Sequence, residues 1–153
     1  RRFADFDAFL VELVRARIAR IEGWGAELRR AAGTGAVAAN LADALTSLFD
    51  AVAVSIVGLV VFRDELRTRL RESGSGRGIP VLDEASAVLA RYLSDERELG
   101  RIAADADVDS LALSLIGAGH LLFADRRNAP PDGGAVDDVV TAVIADVVQR
   151  RLL

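Results

Sequence analysis

Apolar residues recur at intervals of three and four along most of this chain, which is the period of one face of an α-helix. Glycine-rich or proline-rich stretches interrupt the pattern at Gly33–Gly35, Gly74–Gly78 and Asn128–Gly134. We therefore predict an all-α fold, a helical bundle of about six helices in a single domain spanning residues 1–153. The predicted helices are Asp5 to about Arg30, Ala36–Phe62, Arg63–Ser73, Pro80 to about Arg97, Val108–Ala124 and Ala135–Leu152.

The second predicted helix contains the most apolar part of the chain. Its half from Val52 to Phe62 is rich in β-branched residues, which favour strands. No turn signal bounds that half, and the pattern before it is helical, so the sequence favours one long helix buried on most sides. In the first helix, Gly23–Gly25 predicts a bend.

Composition excludes several kinds of chemistry. The chain has no Cys, which excludes a disulfide framework, a thiolate metal site and a Cys nucleophile. His120 is the only His, so a His-pair metal site is excluded as well. Asp105, Asp107 and Asp109 alternate as in a calcium loop, but the central Gly and the final Glu are missing, and helix capping explains them better. We expect no enzyme activity, no metal and no cofactor.

Charge and hydropathy indicate which partners and which cellular location to expect for this chain. The net charge is −4, without the basic stripe through which a protein usually binds DNA. No signal-peptide pattern is present. The longest apolar run, Ala51–Phe62, is interrupted by Ser55 and Gly58 and is too short to span a bilayer. The sequence therefore predicts a cytoplasmic protein with no membrane partner.

A motif between the fifth and sixth predicted helices carries a family resemblance. Gly100, Ile102, Asp105, Asp107 and Leu111-Ala112 match Gly-x-Ile-x-x-Asp-x-Asp-x-x-x-Leu-Ala, and the small-residue stretch Gly117–Gly119 follows. In this the chain resembles the C-terminal regulatory domain of TetR-type (tetracycline-repressor-like) transcription regulators, which typically carry this pattern between their seventh and eighth helices.

The start of the chain agrees with the same resemblance. Phe3–Leu10 falls into the register in which the family's helix-turn-helix closes on Phe, a short capped turn follows and the fourth helix begins. Phe6 departs from the pattern, because the family usually has Lys there. The resemblance implies a ligand-binding and dimerisation domain of a bacterial repressor. Operator DNA would be bound by an N-terminal helix-turn-helix domain that is absent from this chain.

The resemblance also implies a homodimer formed by the last two helices of each subunit. Glycines in the sixth helix would let another backbone approach closely, and the Val-rich final helix has more apolar surface than a small core covers. The alternative is that both helices pack inside one subunit. The predicted interface residues are Leu113, Ile116, Gly117, His120, Val136, Val139, Val140, Val143, Ile144 and Val147.

A small-molecule effector is the second partner that the resemblance implies, held between the helices of the core. Such sites are mostly apolar with a few polar anchors, here Ser55, Tyr92 or His120. The alternative is that these residues are ordinary core, with His120 partly buried or at a dimer interface. The predicted ligand-binding residues are Trp24, Phe49, Val52, Ile56, Leu59, Phe62, Leu89, Tyr92, Leu115, His120 and Phe123.

Two other functions fit the sequence. One is a helical-bundle carrier or enzyme for an apolar small molecule, although the chain has no inward Glu-x-x-His motif of a di-iron bundle. The other is a purely structural dimerisation module. The regulatory reading, in which effector binding relieves DNA binding, is the one the resemblance favours.

Overall fold

Seven α-helices make up the part of the chain that the structure describes. The structure is a computed structural model; it describes residues 2–49, 51–72, 79–124 and 131–150, with side chains except at 2–4, 51–53, 61–62 and 65–67. No strand occurs in these ranges, so the predicted all-α fold is confirmed. The helices are α1 (Arg2–Ala31), α2 (Val37–Leu48), α3 (Ala51–Phe62), α4 (Asp64–Glu72), α5 (Leu82–Glu98), α6 (Val108–Ala124) and α7 (Gly133–Arg150).

The predicted long helix over 36–62 is two helices, which is the main difference from the sequence pattern. α2 ends at Leu48, and Phe49 leaves the helical region with φ −102° and ψ 57°. Phe49 is buried where it stands, packed beneath Gly119 of α6. The Leu48 carbonyl, at the last residue of α2, accepts a hydrogen bond from Arg17 at 3.4 Å. The break is therefore stabilised by tertiary contacts that no local sequence pattern records.

The first helix is continuous, and one of its glycines has a packing role. α1 runs through Gly23–Gly25 without a break, at the place where the sequence predicts a bend. A Cβ on Gly25 would lie 2.8 Å from a methyl carbon of Val88, so Gly25 lets α1 lie close against α5. α1 is also helical across Phe3–Asp5, where the family resemblance implies a capped turn. That part of the predicted register is not present in the structure.

α5 lies at the centre of the bundle, packed against α1 on one side and α6 on the other, while α2 lies against α7. Leu89, Tyr92 and Leu93 of α5 are fully buried. α5 begins at Leu82 rather than at Pro80, because Val81 has a φ of 76° that no helix accepts. Glu84 supports this start by accepting the Val81 N–H at 2.7 Å.

The family-resembling motif has a structural role at each position the structure describes. Gly100 has a φ of 72°, the left-handed conformation that ends α5. Ile102 and Ala112 are buried. Asp107 caps α6, as predicted, because it accepts the Ser110 N–H at 3.1 Å and the Ser110 hydroxyl at 2.6 Å. These hydrogen bonds lower the pKa of Asp107 below its usual value. The motif therefore accounts for how α5 turns into α6.

Candidate dimer face and candidate effector cleft

The outer surface of α6 carries an apolar stripe that none of the described residues covers. Leu113, Gly117 and Leu121 are spaced by four residues, so they lie on one side of the helix. Leu113 is 68% exposed and Leu121 71% exposed. A Cβ on Gly117 would meet no atom within 4 Å. We call this surface, together with the half-buried Val139 and Val143 of the neighbouring α7, the α6–α7 face.

The predicted interface residues divide into two groups. Leu113, Gly117, Val139 and Val143 lie on the α6–α7 face. The others, except His120, lie in the core of the single chain with 5% exposure or less; they are Ile116, Val136, Val140, Ile144 and Val147. α6 and α7 thus pack inside one subunit, as the alternative reading supposed, and still leave an apolar stripe outside. Leu121, which is the most exposed large apolar residue described, was missing from the predicted set.

An aromatic cluster lies behind the stripe, where α6 meets the end of α2. The Phe49 ring stacks on Phe123 with 5.7 Å between centroids and lies 6.2 Å from the ring of His120. A Cβ on Gly119 would be 2.8 Å from the Phe49 ring, so the glycine makes room for that ring. His120 is half-buried, and its Nδ1 has no hydrogen-bond partner among the described residues. These side chains pack against one another, and none of them lines the cleft described below.

A cleft of about 200 Å³ opens between α1, α2 and α5. Its apolar wall carries one aromatic ring and several aliphatic side chains: Trp24, Leu28, Ala31, Ala44, Leu48 and Val88. Four polar side chains, Glu27, Asn40, Asp43 and Ser47, complete the lining. An apolar wall with a few polar groups is typical of small-molecule sites, although this cleft is smaller than most.

Only one predicted ligand-binding residue, Trp24, lines this cleft. Ile56, Leu89, Tyr92 and Leu115 are buried core residues. Phe49, His120 and Phe123 belong to the aromatic cluster, and Leu59 is 39% exposed at the surface. Ser55, a predicted anchor, is exposed. The side chains of Val52 and Phe62 lie outside the described residues. The structure thus brings Trp24 together with polar residues of α1 and α2 that the sequence did not single out.

Two arginines hold Trp24 at the edge of the cleft. The guanidinium carbons of Arg17 and Arg20 each lie 5.1 Å from the centre of the indole ring, within cation–π range. Arg17 is only 5% exposed, and it also donates to the Leu48 carbonyl at the end of α2. Arg17 therefore links the cleft to the break between α2 and α3. A ligand that moved Trp24 or Leu48 would disturb this link.

A buried polar network lies behind the cleft. The Asn40 amide donates to the Tyr92 hydroxyl at 3.0 Å and to the Thr34 carbonyl at 2.9 Å. Glu96, which is fully buried, accepts the Gly33 N–H and pairs with Arg101 at 2.9 Å. Because these residues lie on α5, on α2 and in the loop between α1 and α2, the network fixes the position of Asn40 in the cleft.

The ionisation of the Tyr92 hydroxyl can be followed in a pH titration and reports on this network. Burial, the largest cause, and nearby Glu96 raise the pKa of Tyr92 to about 12, although the hydrogen bond from Asn40 acts in the other direction. The folded-state pKa lies above the unfolded value of about 10. The contribution of the protonated, buried Tyr92 to the stability of the folded protein is therefore complete below about pH 10 and is lost as the pH rises towards 12.

We predict that phenolate absorbance of the folded protein rises with a midpoint near pH 12. Tyr92 is the only Tyr, so the signal has one source. The same titration in concentrated urea should give a midpoint near pH 10, and Trp24 emission reports whether the protein stays folded at each pH. A folded protein that titrated near pH 10 would show that Tyr92 is solvated rather than buried in the network.

Three buried charged residues were missed by sequence reasoning, although a signal for them existed. Asp7, Arg17 and Glu96 are 3%, 5% and 0% exposed. Arg17 falls between Val14 and Ile21 in the apolar register of α1, and Glu96 follows Tyr92 by one turn in that of α5. A charged residue in an apolar register predicts a buried ion pair or a polar network. Asp7 has such a pair, because its carboxylate lies 3.0 Å from Arg63.

Comparisons with known proteins do not show a family for this chain. No family model, no curated protein and no solved structure matches this chain. Among the described residues, no three His, Asp or Glu side chains come together in a way that could hold a metal ion. None of the helices in the same ranges is long and apolar enough to cross a bilayer. A functional assignment therefore depends on the α6–α7 face, the cleft and the resemblance carried by the residues named above.

Proposed function

We propose that this chain is the effector-binding and dimerisation domain of a TetR-type transcription regulator, a cytoplasmic repressor. The observation that carries the proposal is the uncovered apolar stripe on α6, at Leu113, Gly117 and Leu121. The stripe lies on the helix that follows the family-resembling motif, and the resemblance implies a dimer through this helix and the next one. The partner in this proposal is a second copy of the same chain.

The composition of the α6–α7 face supports pairing with itself. Large leucines flank a glycine at which the helix backbone is open to the surface. Two such helices can approach closely at the glycines while the leucines of each pack beside the other. α7 adds Val139 and Val143 along one edge. Two copies of α6 and α7 would then form a four-helix interface of the kind found in helical bundles.

The cleft supports the effector half of the proposal. Its walls come from three helices, so a bound molecule would favour one arrangement of α1, α2 and α5 over another. By differential binding, the ligand would shift the population between two dimer states. In a regulator of this class, α1 would pass the change to a DNA-binding module outside these 153 residues. The two modules of a dimer would then no longer match two half-sites one helical turn apart.

The experiment that tests the proposal is the mass of the chain in solution. Multi-angle light scattering at tens of micromolar should give twice the chain mass, and dilution should reveal a dimer–monomer equilibrium. A monomer at these concentrations would contradict the proposal. A monomer that still bound a small molecule in the cleft would favour the helical carrier instead.

A further inference from the structure

The polar part of the cleft lining carries negative charge only. Glu27 of α1 and Asp43 of α2 face the opening from two helices, and neither forms an ion pair within the described residues. Both residues are exposed. The remaining polar lining groups, the Asn40 amide and the Ser47 hydroxyl, carry no charge.

The arginines near the cleft on α1 have other partners, and Arg30, three residues after Glu27, donates to the Ala26 carbonyl at 3.3 Å. Arg17 donates to the Leu48 carbonyl, and both Arg17 and Arg20 lie over the Trp24 ring. Neither arginine belongs to the lining of the cleft. The arginines fix the ring, which leaves its remaining surface as part of the apolar wall. A molecule in the cleft therefore meets aromatic and aliphatic side chains together with two carboxylates that form no ion pair within the described residues.

We infer that the cleft binds a small aromatic ammonium ion, with its ring on the wall formed by Trp24, Leu28 and Val88 and its ammonium group between Glu27 and Asp43. The inference rests on the proposed function, because it names the chemical class of the effector. It differs from the sequence-based expectation of a mostly apolar ligand in adding a positive charge. A cleft of about 200 Å³ holds one ring and a short chain rather than a large polycyclic molecule.

Phenethylamine, 2-phenylethanol and 3-phenylpropionate are suitable probes, because they share a ring and a short chain and differ in charge. A ligand of roughly nine to eleven heavy atoms at an exposed site binds with a dissociation constant on the order of 1 mM. We expect phenethylamine to bind about fivefold to tenfold more tightly than the neutral alcohol, and the carboxylate more weakly than either. Added salt should reduce the preference, because exposed charges are screened.

Two variants test whether the preference for phenethylamine over 2-phenylethanol depends on the two carboxylates. The double substitution Glu27→Gln/Asp43→Asn should bring the affinities for phenethylamine and 2-phenylethanol to within about twofold of each other. Glu22→Gln is the matched control, because Glu22 is exposed on α1 and does not line the cleft. It should leave the preference unchanged. Binding is measured by Trp24 emission and by calorimetry, and both use the whole chain.

Three results would overturn the inference: equal binding of the amine and the alcohol, a preference that survives the double substitution, and no binding of any probe at 10 mM. The light-scattering mass of the same samples keeps the two proposals separate. A dimer without cation preference overturns the inference and leaves the dimer proposal standing. A monomer with a preference that depends on Glu27 and Asp43 supports the inference and contradicts the regulator.

Discussion

Replacing Glu96 with alanine is expected to lower the free energy of unfolding by about 3 kcal/mol, a large effect for a single polar residue. Glu96 is fully buried, and its carboxylate pairs with Arg101 and accepts the Gly33 N–H. Alanine would leave the Arg101 charge without its carboxylate partner and the loop N–H without an acceptor. Removing one partner of a buried pair costs more than the pair itself contributes.

Urea unfolding followed by Trp24 emission measures this change, and Glu98→Ala is its control. Glu98 lies on the same helix but is exposed, so its replacement should change the free energy by no more than about 0.5 kcal/mol. Glu96→Gln should lie between the two, because the amide oxygen can still accept the Gly33 N–H. Equal effects of Glu96→Ala and Glu98→Ala would mean that Glu96 is not buried in this network.

Leu121→Asp is expected to convert the dimer into a monomer and to raise its dissociation constant at least about a hundredfold, or about 3 kcal/mol. Leu121 is 71% exposed in the single chain, so folding of the subunit buries little of its apolar surface. Most of that surface is therefore available to contact a second copy. Aspartate would put an unpaired charge into the proposed interface, and the partner would bring an identical charge into the same interface.

The fold of each subunit should survive this substitution, and circular dichroism with urea unfolding under monomeric conditions checks that it does. Leu99→Asp is the matched control, because Leu99 is 58% exposed and follows α5 rather than lying on the α6–α7 face. Light scattering should therefore give a dimer for Leu99→Asp and a monomer for Leu121→Asp. Dimers of equal affinity for both variants would place the interface elsewhere.

The fold was predictable where a local pattern decides the structure. Helical periodicity placed α1, α5, α6 and α7 to within a few residues, and the Asp107 cap was predicted from its position alone. The break at Phe49 was not predictable in this way. It is stabilised by an aromatic ring that packs under a glycine seventy residues later in the chain and by an arginine from α1. Such contacts depend on tertiary structure, which a periodicity analysis does not contain.

The candidate cleft was less predictable than the fold for a related reason. Aromatic and aliphatic residues at helical spacing mark the side of a helix that is buried, and five of the eleven predicted ligand residues are buried core residues. A cleft forms where three helices fail to close, and its lining includes Glu27, Asp43 and Ser47, which on sequence alone belong to solvated faces. Only Trp24, too large to be covered fully in this bundle, was predicted from its residue type.

The α6–α7 face was predictable in part. Gly117 and the final valines suggested it, but the sequence could not tell which apolar residues the subunit itself would use. Val136, Val140 and Ile144 complete the core, while Leu113 and Leu121 remain outside. The distinction depends on how α6 rotates about its own axis. Gly119 and Phe49 fix that rotation by their close packing.

The most direct test of the proposed dimer is the distance between two copies of α6 in solution. The chain has no Cys, so Ser114→Cys, exposed beside the stripe, takes a single spin label. Pulsed dipolar spectroscopy should then give one narrow distance of about 20 Å, two helix diameters, between subunits. The same label at Glu22 should give a much longer distance. A signal from Ser114→Cys without dipolar coupling, or a shorter distance from Glu22→Cys, would contradict a dimer formed through the α6–α7 face.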